Sequence, residues 1–422
     1  MIEERLLFAS VVHESQLRPT DADGLELRLD HISLPSHIPC PYLLTPRSHD
    51  PSLIHHLLSL SPPFLDLEYS PDLPYVSSSS TKIILSYHNF HEIPSDLDSL
   101  YSAMIRYPAS IYKIAAMPQS TNDALRLLLF GRKHPNLTVI CMGEIGQFGR
   151  VLGPVVGNPI DYAAVDATVA APGQLTVDEL LNTYHYRSLS PKTALYGLIG
   201  NPVAQSVGHL YHNQRFAQKN QDAVYVKMIV QESELQTFLQ LAKDIGFQGL
   251  SVTMPLKEKV LPFLDEISPD AKEMGAVNTI RFEKGRFIGI NTDGMGALDA
   301  IEKRMAVKGK KMLLLGAGGA ARAIAFEAKK RGAEVWIHNR TEEKARALNY
   351  HVGIPSHFDV AINCSSNPLS IPLESKPLVM DIVYSPRETR FLKHASQAGC
   401  SIIYGEEMFL NQAAAQSDFW LN

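Results

Sequence analysis

A glycine-rich turn joins an apolar stretch to a helix-forming stretch in KMLLLGAGGAARAIAFEA, residues 311–328. Gly316 permits a tight turn, Gly318 lets backbone approach a pyrophosphate, and Ala321 lets the helix pack closely on the strand. The free N–H groups at the start of that helix would face the phosphates. The pattern predicts a dinucleotide-binding unit in the C-terminal half.

Polar residues follow predicted strands upstream of this turn. Thr253 and Lys257 come after a strand in SVTMPLK, Asn278 lies on a turn in GAVNT, and Asp293 lies in GINTDGMG. A lysine and a carboxylate near a nicotinamide can transfer a proton to a carbonyl oxygen during hydride delivery, while amides and hydroxyls hold a polyol. Each residue alone is ordinary, because a lysine after a strand is usually solvated. The interpretation therefore depends on the whole set in order.

A second set lies in the N-terminal half. Lys113 sits inside the apolar strand IYKIAAMP, where burial lowers a lysine pKa and leaves more free amine to form an imine. His88 ends the preceding strand, LSYHNF, and is a candidate proton shuttle. Glu26 and Arg28 alternate with leucines in GLELRLD and so share one face. Three further polar residues are predicted at other strand ends: Arg47, Arg150 and Gln174.

Eight predicted strands precede residue 180, with amphipathic stretches between several of them: LLFASVV, GLELRLD, PYLLTPR, FLDLEY, KIILSYH, IYKIAAM, LTVICMG and YAAVDAT. Alternating strands and helices predict a parallel sheet, and eight such units predict a (β/α)8 barrel. The stretch is shorter than the usual ~250 residues of that fold. SHDPSLIHHLLSLSPP leaves room for a short helix only, and SPDLPYVSSSST has no helical pattern, so we expect a barrel with trimmed outer helices.

The second half is predicted to be α/β throughout, with a substrate domain followed by a nucleotide-binding domain. The proposed limits are 1–182 for the barrel, 183–194 for a polar linker, 195–296 for the substrate domain, 297–404 for the nucleotide-binding domain, and 405–422 for a C-terminal helix that packs back on the substrate domain.

Composition narrows the functional class. The chain has 422 residues, a net charge of −5 and four scattered cysteines, Cys40, Cys141, Cys364 and Cys400. These values favour thiols in a reducing cytosol and give no indication of nucleic-acid binding, a metal site or a disulfide framework. Apolar runs are too short to span a bilayer, and MIEERLLFASVV is not typical of a signal peptide, so we expect a cytoplasmic protein that binds no membrane. The oligomeric state is left open.

The C-terminal motifs resemble shikimate dehydrogenase. They are GxPVxxS…HN, SVTxPxK, AVNT, NTDxxG, GAGGAxRA, NRT, DxVYxPxxT and GxxMxxxQ, over residues 195–422. The resemblance implies a catalytic pair, Lys257 and Asp293. It implies contacts with shikimate or 3-dehydroshikimate from Ser206, Thr253, Asn278, Tyr384 and Gln412. It implies cofactor contacts from Gly316, Ala317, Gly318, Gly319, Ala320, Asn339, Arg340, Thr341, Lys344, Gly405 and Met408.

The residues after the second nucleotide-domain strand indicate which dinucleotide is bound. An acidic residue there would bind the ribose hydroxyls of NAD and repel a 2′-phosphate. EVWIHNR instead ends in Asn339, followed by Arg340 and Thr341, with Lys344 one turn later. This arrangement favours NADP(H).

Two departures from the dehydrogenase pattern are visible. The family has HSxSP before its helix, whereas Gly208 replaces the second serine here, so one hydroxyl to the substrate carboxylate is missing. Losing a hydrogen bond to a charged group costs ~1.5–3 kcal/mol. INCSSNP also replaces the usual threonine and GM ending near the nicotinamide.

The N-terminal half resembles type I 3-dehydroquinate dehydratase through ELRLD, SYHNF, KIAAMP, MGEIGQFGR and APGQL, over about residues 5–180. The resemblance implies a Schiff base between Lys113 and the substrate ketone, with His88 removing the adjacent proton. It implies that Arg150 and Gln174 hold the carboxylate and hydroxyls. It also implies that Glu26, Arg28 and Arg47 complete the polar site.

This half also departs from its family. An acidic residue followed by two glycines is absent after Arg47, and Asp50 or His49 is the candidate replacement. Asn89 stands in place of the aspartate after the histidine, and Ala170 stands in place of the serine before APGQ.

The two resemblances together predict a fused bifunctional enzyme. Its first half would convert 3-dehydroquinate to 3-dehydroshikimate, and its second half would reduce that product to shikimate with NADPH. The alternatives are a shikimate or quinate dehydrogenase with an inactive barrel, and a non-catalytic regulator that senses quinate or NADP. The retained Lys257–Asp293 pair disfavours the regulator.

Overall fold

The computed structural model describes residues 5–71, 78, 80–365 and 370–422. Within it the chain divides into two compact units. Unit 1 comprises residues up to 197 together with 213–247, and unit 2 comprises 198–212 together with 248–422. Residues 366–368 of INCSSNP and most of the predicted helix-free stretch 70–81 lie outside the described residues.

Eight parallel strands form the N-terminal sheet in the order β7-β6-β5-β4-β3-β2-β1-β8. Each predicted strand is present, and the last begins two residues earlier than its predicted segment. The strands are β1 Leu6–Val11, β2 Gly24–Arg28, β3 Tyr42–Thr45, β4 Phe64–Glu68, β5 Lys82–Asn89, β6 Ile111–Ala116, β7 Leu137–Cys141 and β8 Ile160–Ala164. The sheet is a nearly closed barrel.

Side chains join the two edge strands of this barrel. Thr138 Oγ1 donates to the carbonyl oxygen of Ile160 at 3.0 Å. Asn158 Oδ1 accepts from the N–H of Val139 at 3.1 Å, and its Nδ2 donates to the carbonyl oxygen of Val139 at 3.0 Å. These bonds satisfy backbone groups that would otherwise lie exposed at a sheet edge.

The outer helices of the barrel are short, as predicted. They are α1 Pro51–Ser59, α2 Leu97–Met104, α3 Thr121–Gly131, α4 Gly143–Val151 and α5 Gly153–Val156. An apolar layer fills one end of the barrel interior, with Phe8 and Phe64 edge to face at 5.4 Å and Ile84, Ile111 and Ile160 around them. Inward-facing residues recur at every second position of a strand. Those that follow the apolar layer along the same strands are polar, so the polar residues lie toward the other end.

The segment predicted as a linker is packed against the barrel in unit 1. Tyr186 is buried, and its hydroxyl donates to Asp161 Oδ2 at 2.8 Å. Arg5 donates to the carbonyl oxygen of Leu189 at 2.8 Å. The polar, aperiodic composition of the segment gave no sign of these contacts, because they depend on residues distant in sequence.

A mixed six-stranded sheet follows, in the order β10-β9-β11-β13-β14-β12. Its strands are β9 Ala194–Gly200, β10 Ala223–Ile229, β11 Phe247–Val252, β12 Glu266–Ile267, β13 Thr279–Glu283 and β14 Arg286–Ile290. Its helices are α6 Gly208–Gln218, α7 Leu235–Ile245, α8 Leu256–Lys259, α9 Pro269–Met274 and α10 Asp293–Glu302.

The last sheet is parallel and has the order β17-β16-β15-β18-β19-β20. Numbered from its first strand this order is 3-2-1-4-5-6, the arrangement of dinucleotide-binding Rossmann domains. Its strands are β15 Lys311–Leu315, β16 Glu334–His338, β17 His351–Val352, β18 Val360–Asn363, β19 Leu378–Asp381 and β20 Ile402–Ile403. Its helices are α11 Gly319–Lys330, α12 Glu342–Arg346 and α13 Arg390–Gln397.

The C-terminal helix, α14 Gly405–Leu421, packs on α10 and β13 within unit 2. Trp420 Nε1 donates to the carbonyl oxygen of Ile280 at 2.9 Å, and Gln416 Nε2 donates to that of Asn278 at 3.1 Å. Helix packing is close because Gly296 has no side chain; a Cβ there would lie 2.8 Å from Gln412 Cβ.

Candidate active sites

The polar end of the barrel opens into a cavity. Parallel strands end at the same edge, so residues near their carboxyl ends converge on this cavity. All seven residues predicted for this half line it: Glu26, Arg28, Arg47, His88, Lys113, Arg150 and Gln174. The structure therefore brings together a set that is spread over about a third of the sequence.

Lys113 lies on β6 with only 3% of its surface exposed. Its Nζ contacts Asp66 Oδ2 and lies 4.6 Å from the ring centroid of Tyr162. Burial lowers the pKa of Lys113, and the opposing effect of Asp66 does not cancel the shift. Asp66 also accepts a hydrogen bond from Ser86, and the cations around it hold its pKa below the usual value despite its burial. The amine is thus positioned in the cavity beside a fixed carboxylate.

His88 lies on β5 next to this pair. Burial lowers the pKa of His88 well below the usual value, and the positive charges of Lys113 and Arg47 lower it further. At neutral pH the imidazole is therefore uncharged and can accept a proton.

A hydrogen-bond network links the first three strands to the last loop. Glu26 accepts from Ser10 Oγ at 2.5 Å and from Thr45 Oγ1 at 2.9 Å. Gln174 Nε2 donates to Ser10 Oγ at 3.0 Å, and its Oε1 accepts from the N–H of Ala170 at 3.0 Å. The network fixes Glu26 and Gln174 at the cavity wall.

The prediction of a strand-end position is wrong for Gln174, which lies in the loop after β8, and for Arg150. Arg150 lies in the last turn of α4, which begins directly after β7 at Gly143, where φ is +74°. The helix turns Arg150 back into the cavity, where it is 4% exposed. Burial lowers its pKa to about 10, so it remains a cation at neutral pH. Within the described residues its Nε has no hydrogen-bond partner.

Asp50 does not lie against His88. It caps α1, with its carboxylate accepting from the N–H of Ser52 at 2.9 Å, and both Asp50 and His49 are exposed. Asn89 likewise serves local structure, since its side chain accepts from the N–H groups of His91 and Glu92.

Sequence reasoning missed Asp66, Glu68, Ser86 and Tyr162. Asp66 and Glu68 alternate with leucines on β4, the same pattern that identified Glu26 and Arg28 on β2. That signal was available in FLDLEY. Ser86 and Tyr162 carry no comparable signal, because small and aromatic residues are common in buried strands.

The second site lies in unit 2, where β14 runs into α10. Lys257 Nζ lies 2.5 Å from Asp293 Oδ2. Asp293 Oδ1 accepts from Asn278 Nδ2 at 2.9 Å, and Asn278 Oδ1 accepts from the N–H of Thr292 at 2.9 Å. Gln412 Oε1 is 3.4 Å from Asn278 Nδ2. Four of the predicted residues therefore form one connected cluster.

The other predicted substrate contacts, Thr253, Ser206 and Tyr384, lie elsewhere in unit 2. Thr253 is half-buried at the end of β11, four residues before Lys257. Ser206 Oγ accepts from the N–H of Gly208 at 3.2 Å, which tightens the turn into α6. The Tyr384 ring packs against Phe409 at 5.1 Å.

The glycine turn adjoins Lys257. Gly316 has φ of +126°, a conformation that favours glycine. A Cβ on Gly318 would meet nothing within 4 Å, so the space above the turn is open. A Cβ on Gly319 would lie 3.5 Å from the Lys257 side chain. A pyrophosphate seated at the start of α11 therefore fits next to Lys257.

The residues around the adenosine end also fit a phosphorylated ribose. Asn339 Nδ2 donates to the carbonyl oxygen of Thr341 at 2.8 Å, which orders the loop after β16. Arg340 and Lys344 are exposed there.

Gly405 starts α14 in a space where a Cβ would lie 2.7 Å from three carbonyl oxygens, and Met408 packs in the apolar core.

The described residues contain no helix that is long and apolar enough to cross a membrane. They also contain no cluster of three or more His, Cys, Asp or Glu side chains that could hold a metal ion.

Two family models match the chain. Residues 10–191 match type I 3-dehydroquinase, and residues 198–280 match the shikimate dehydrogenase substrate binding domain. The shikimate biosynthesis protein AroDE of Chlamydia pneumoniae is 38% identical, with 87% of this chain and 80% of that protein covered. The chloroplastic bifunctional 3-dehydroquinate dehydratase/shikimate dehydrogenase of Arabidopsis thaliana is 32% identical over 97% of this chain and 79% of that protein.

Solved structures match the second half. A shikimate dehydrogenase crystallised with NADP⁺ is 36% identical, with a TM-score of 0.52 over 55% of this chain and 91% of that one. The Thermus thermophilus enzyme in complex with NADP(H) and shikimate is 32% identical, with a TM-score of 0.51 over 54% of this chain and 93% of that one.

The barrel contains a buried lysine, and the Rossmann unit adjoins a lysine–aspartate pair. Together these features define a fused lyase and oxidoreductase. The chain belongs to the family of bifunctional 3-dehydroquinate dehydratase/shikimate dehydrogenases. It is an enzyme of the shikimate pathway, and the cofactor of its dehydrogenase is NADP(H).

Proposed function

We propose that the barrel cavity performs the dehydration and that the Lys257–Asp293 cluster performs the reduction. The domain limits proposed are 1–182, 195–296, 297–404 and 405–422, with 183–194 as the connection. The observation that carries the first assignment is a lysine with 3% of its surface exposed that lines the same cavity as the His88 imidazole.

In the dehydration, Lys113 Nζ attacks the ketone of 3-dehydroquinate and a water leaves as the imine forms. The protonated imine withdraws electrons, so the adjacent C–H becomes acidic and His88 removes its proton. The electron pair then expels the hydroxyl, which leaves as a second water with a proton returned by His88. Hydrolysis of the imine consumes one water and releases 3-dehydroshikimate and Lys113.

Cationic and amide groups would hold the substrate in the cavity. Arg150 is the anchor for the carboxylate, supported by its burial and its unpartnered Nε. Gln174 and Glu26 are fixed by shared contacts with Ser10, and they would bind hydroxyls. Arg28 and Arg47 add positive charge at the rim.

In the reduction, Lys257 donates a proton to the carbonyl oxygen of 3-dehydroshikimate, and Asp293 holds Lys257 in place and supports its charge. Bound NADPH supplies the hydride. Asn278 and Gln412 would bind hydroxyls, because both belong to the cluster around Asp293. Ser206, Thr253 and Tyr384 complete the substrate contacts.

The dinucleotide would lie along the turn formed by Gly316, Ala317, Gly318, Gly319 and Ala320. Its adenosine end would lie against Asn339, Arg340, Thr341 and Lys344, with Gly405 and Met408 near the nicotinamide end. Compatible ligands are small molecules only, and we propose that the enzyme is cytoplasmic.

Arg340→Glu should raise the KM for NADPH by about 10- to 100-fold, because a charged hydrogen bond to the 2′-phosphate is replaced by repulsion. The KM for NADH should change little. Steady-state kinetics with both dinucleotides measures this difference, and Lys393→Glu, at an exposed position of α13, is the matched charge reversal. Equal effects of Arg340→Glu on the two cofactors would contradict this cofactor assignment.

Borohydride should trap 3-dehydroquinate on the barrel. Reduction of the imine adds the ligand covalently to Lys113, and mass spectrometry of peptides locates the adduct. Lys133→Ala, an exposed lysine after α3, is the matched control and should still form the adduct. Absence of an adduct in the unmodified enzyme would favour an inactive barrel.

A further inference from the structure

Glu68 is an acidic residue in contact with His88 that the sequence analysis did not identify. The acidic residue expected after Arg47 is absent, and both proposed replacements, Asp50 and His49, face solvent. Glu68 ends β4, and its partner in the parallel register is Ser86, two residues before His88. Because β4 and β5 are neighbours in the sheet, a carboxylate at the end of β4 can reach the end of β5.

The contacts of Glu68 with His88 are made by both carboxylate oxygens. Oε2 lies 2.7 Å from His88 Nδ1, and Oε1 accepts from the backbone N–H of His88 at 3.1 Å. Arg47 Nη1 donates to Glu68 Oε2 at 2.8 Å, so the carboxylate itself is fixed from the other side. Side chain and backbone of His88 are thus held by one group.

The function of His88 as a base depends on which imidazole nitrogen carries the proton. Arg47 Nη1 is also 2.7 Å from His88 Nδ1, so that nitrogen either accepts from Arg47 or donates to Glu68, but not both. If Nδ1 accepted, Nε2 would carry the proton and could not act as a base. If Nδ1 donates to Glu68, the Nε2 lone pair is free for the substrate.

We propose that Glu68 is the positioning residue of the dehydratase site: its carboxylate accepts a hydrogen bond from Nδ1–H of His88 and so leaves the Nε2 lone pair to act as the base. This inference rests on the proposed function of the barrel. Glu68 does not line the cavity, so it acts through His88 rather than on the substrate.

The charges around His88 determine what removal of Glu68 does to the pH profile. Among the described residues, the charged groups that face His88 include Arg28 on β2, Arg47 after β3, Asp66 and Glu68 on β4, and Lys113 on β6. Glu68→Gln removes the negative charge in contact with Nδ1, so the imidazolium is less stable and the pKa of His88 falls further. The acid limb of the kcat profile should therefore move to lower pH.

The wild-type enzyme provides the first test. Histidine-selective ¹⁵N labelling and two-bond ¹⁵N–¹H correlation spectra distinguish the two neutral tautomers, and His88→Asn identifies the signal. We expect Nδ1–H and an unprotonated Nε2. A neutral His88 with its proton on Nε2 would overturn the proposal without any change to Glu68.

Variants provide the second test. Glu68→Gln should lower the dehydratase kcat by at least about 10-fold with little change in KM, and should shift the acid limb of the kcat profile to lower pH. Asp50→Asn is the matched control and should leave kcat and the pH profile unchanged. Wild-type kcat and profile in Glu68→Gln would refute the proposal. A folding defect would show in the circular-dichroism spectrum and thermal unfolding of the variant, and the tautomer of wild-type His88 then tests the proposal.

Borohydride trapping separates this inference from the proposed function on which it rests. Glu68→Gln should still form the Lys113 adduct, because imine formation does not require His88 to be oriented. If the unmodified enzyme forms no adduct, the proposed function of the barrel fails. If it forms the adduct and Glu68→Gln is fully active, only the role of Glu68 fails.

Discussion

Lys113→Ala should lower the dehydratase kcat by at least about 10³-fold, an increase of ~4 kcal/mol in the activation free energy. Without the amine no imine forms, and the C–H next to an unactivated ketone is far less acidic. Reduction of 3-dehydroshikimate by the same chain should be unaffected, since the Lys257–Asp293 pair belongs to unit 2. Absorbance assays for enone formation and for NADPH consumption measure the two activities on one sample.

Stability must be separated from chemistry in this experiment. Lys113 and Asp66 form a buried pair, and removal of one partner of such a pair costs about 3–5 kcal/mol. The double variant Asp66→Asn, Lys113→Gln removes both charges and keeps an acceptor for Ser86. It should fold better than Lys113→Ala and remain as inactive in dehydration. A dehydratase activity near that of the wild type in either variant would refute the Schiff-base mechanism.

Lys257→Ala should lower the kcat for 3-dehydroshikimate reduction by about 10²- to 10⁴-fold, the usual effect of losing a positioned proton donor. Dehydration should continue at the wild-type rate. The fold should tolerate the change, because Asp293 keeps its hydrogen bond from Asn278 at 2.9 Å. Single-turnover oxidation of bound NADPH measures the loss at the chemical step.

Lys259→Ala on the same short helix is the matched control, since that side chain is exposed. It should reduce 3-dehydroshikimate as fast as the wild type. Loss of both activities in a folded Lys257→Ala protein would contradict the presence of two separate sites. Dehydrogenase activity that survives Lys257→Ala would remove that lysine from the mechanism.

Much of the fold could be predicted because its signals are local. Each barrel strand is an apolar run with its own boundaries, and the glycine turn at Gly316 requires a conformation that few other residues adopt. The short α1 followed from the few residues available between β3 and β4. The contacts of residues 183–194 were not predictable, because their partners, such as Asp161 and Arg5, lie elsewhere in the chain.

The site was predictable only in part, for a related reason. Residue type identified Lys113, His88 and Glu26, since charged side chains in apolar strands are costly to bury without partners. Arg150 was assigned to the right cavity but to the wrong element. Glu68 carried the same alternating pattern as Glu26, yet nothing in the linear order relates it to His88, which lies 20 residues away.

Residue types and their order along the chain were sufficient to identify two reactions, the barrel and Rossmann architectures and the preference for NADP(H). Tertiary structure alone decided which acid meets His88, how Arg150 enters the cavity, and how close Gly319 lies to Lys257. The reason is physical: chemistry depends on the kinds of groups present, which are local, whereas tautomers and pKa values depend on neighbours within a few ångströms. Those neighbours are set by strand register and helix packing.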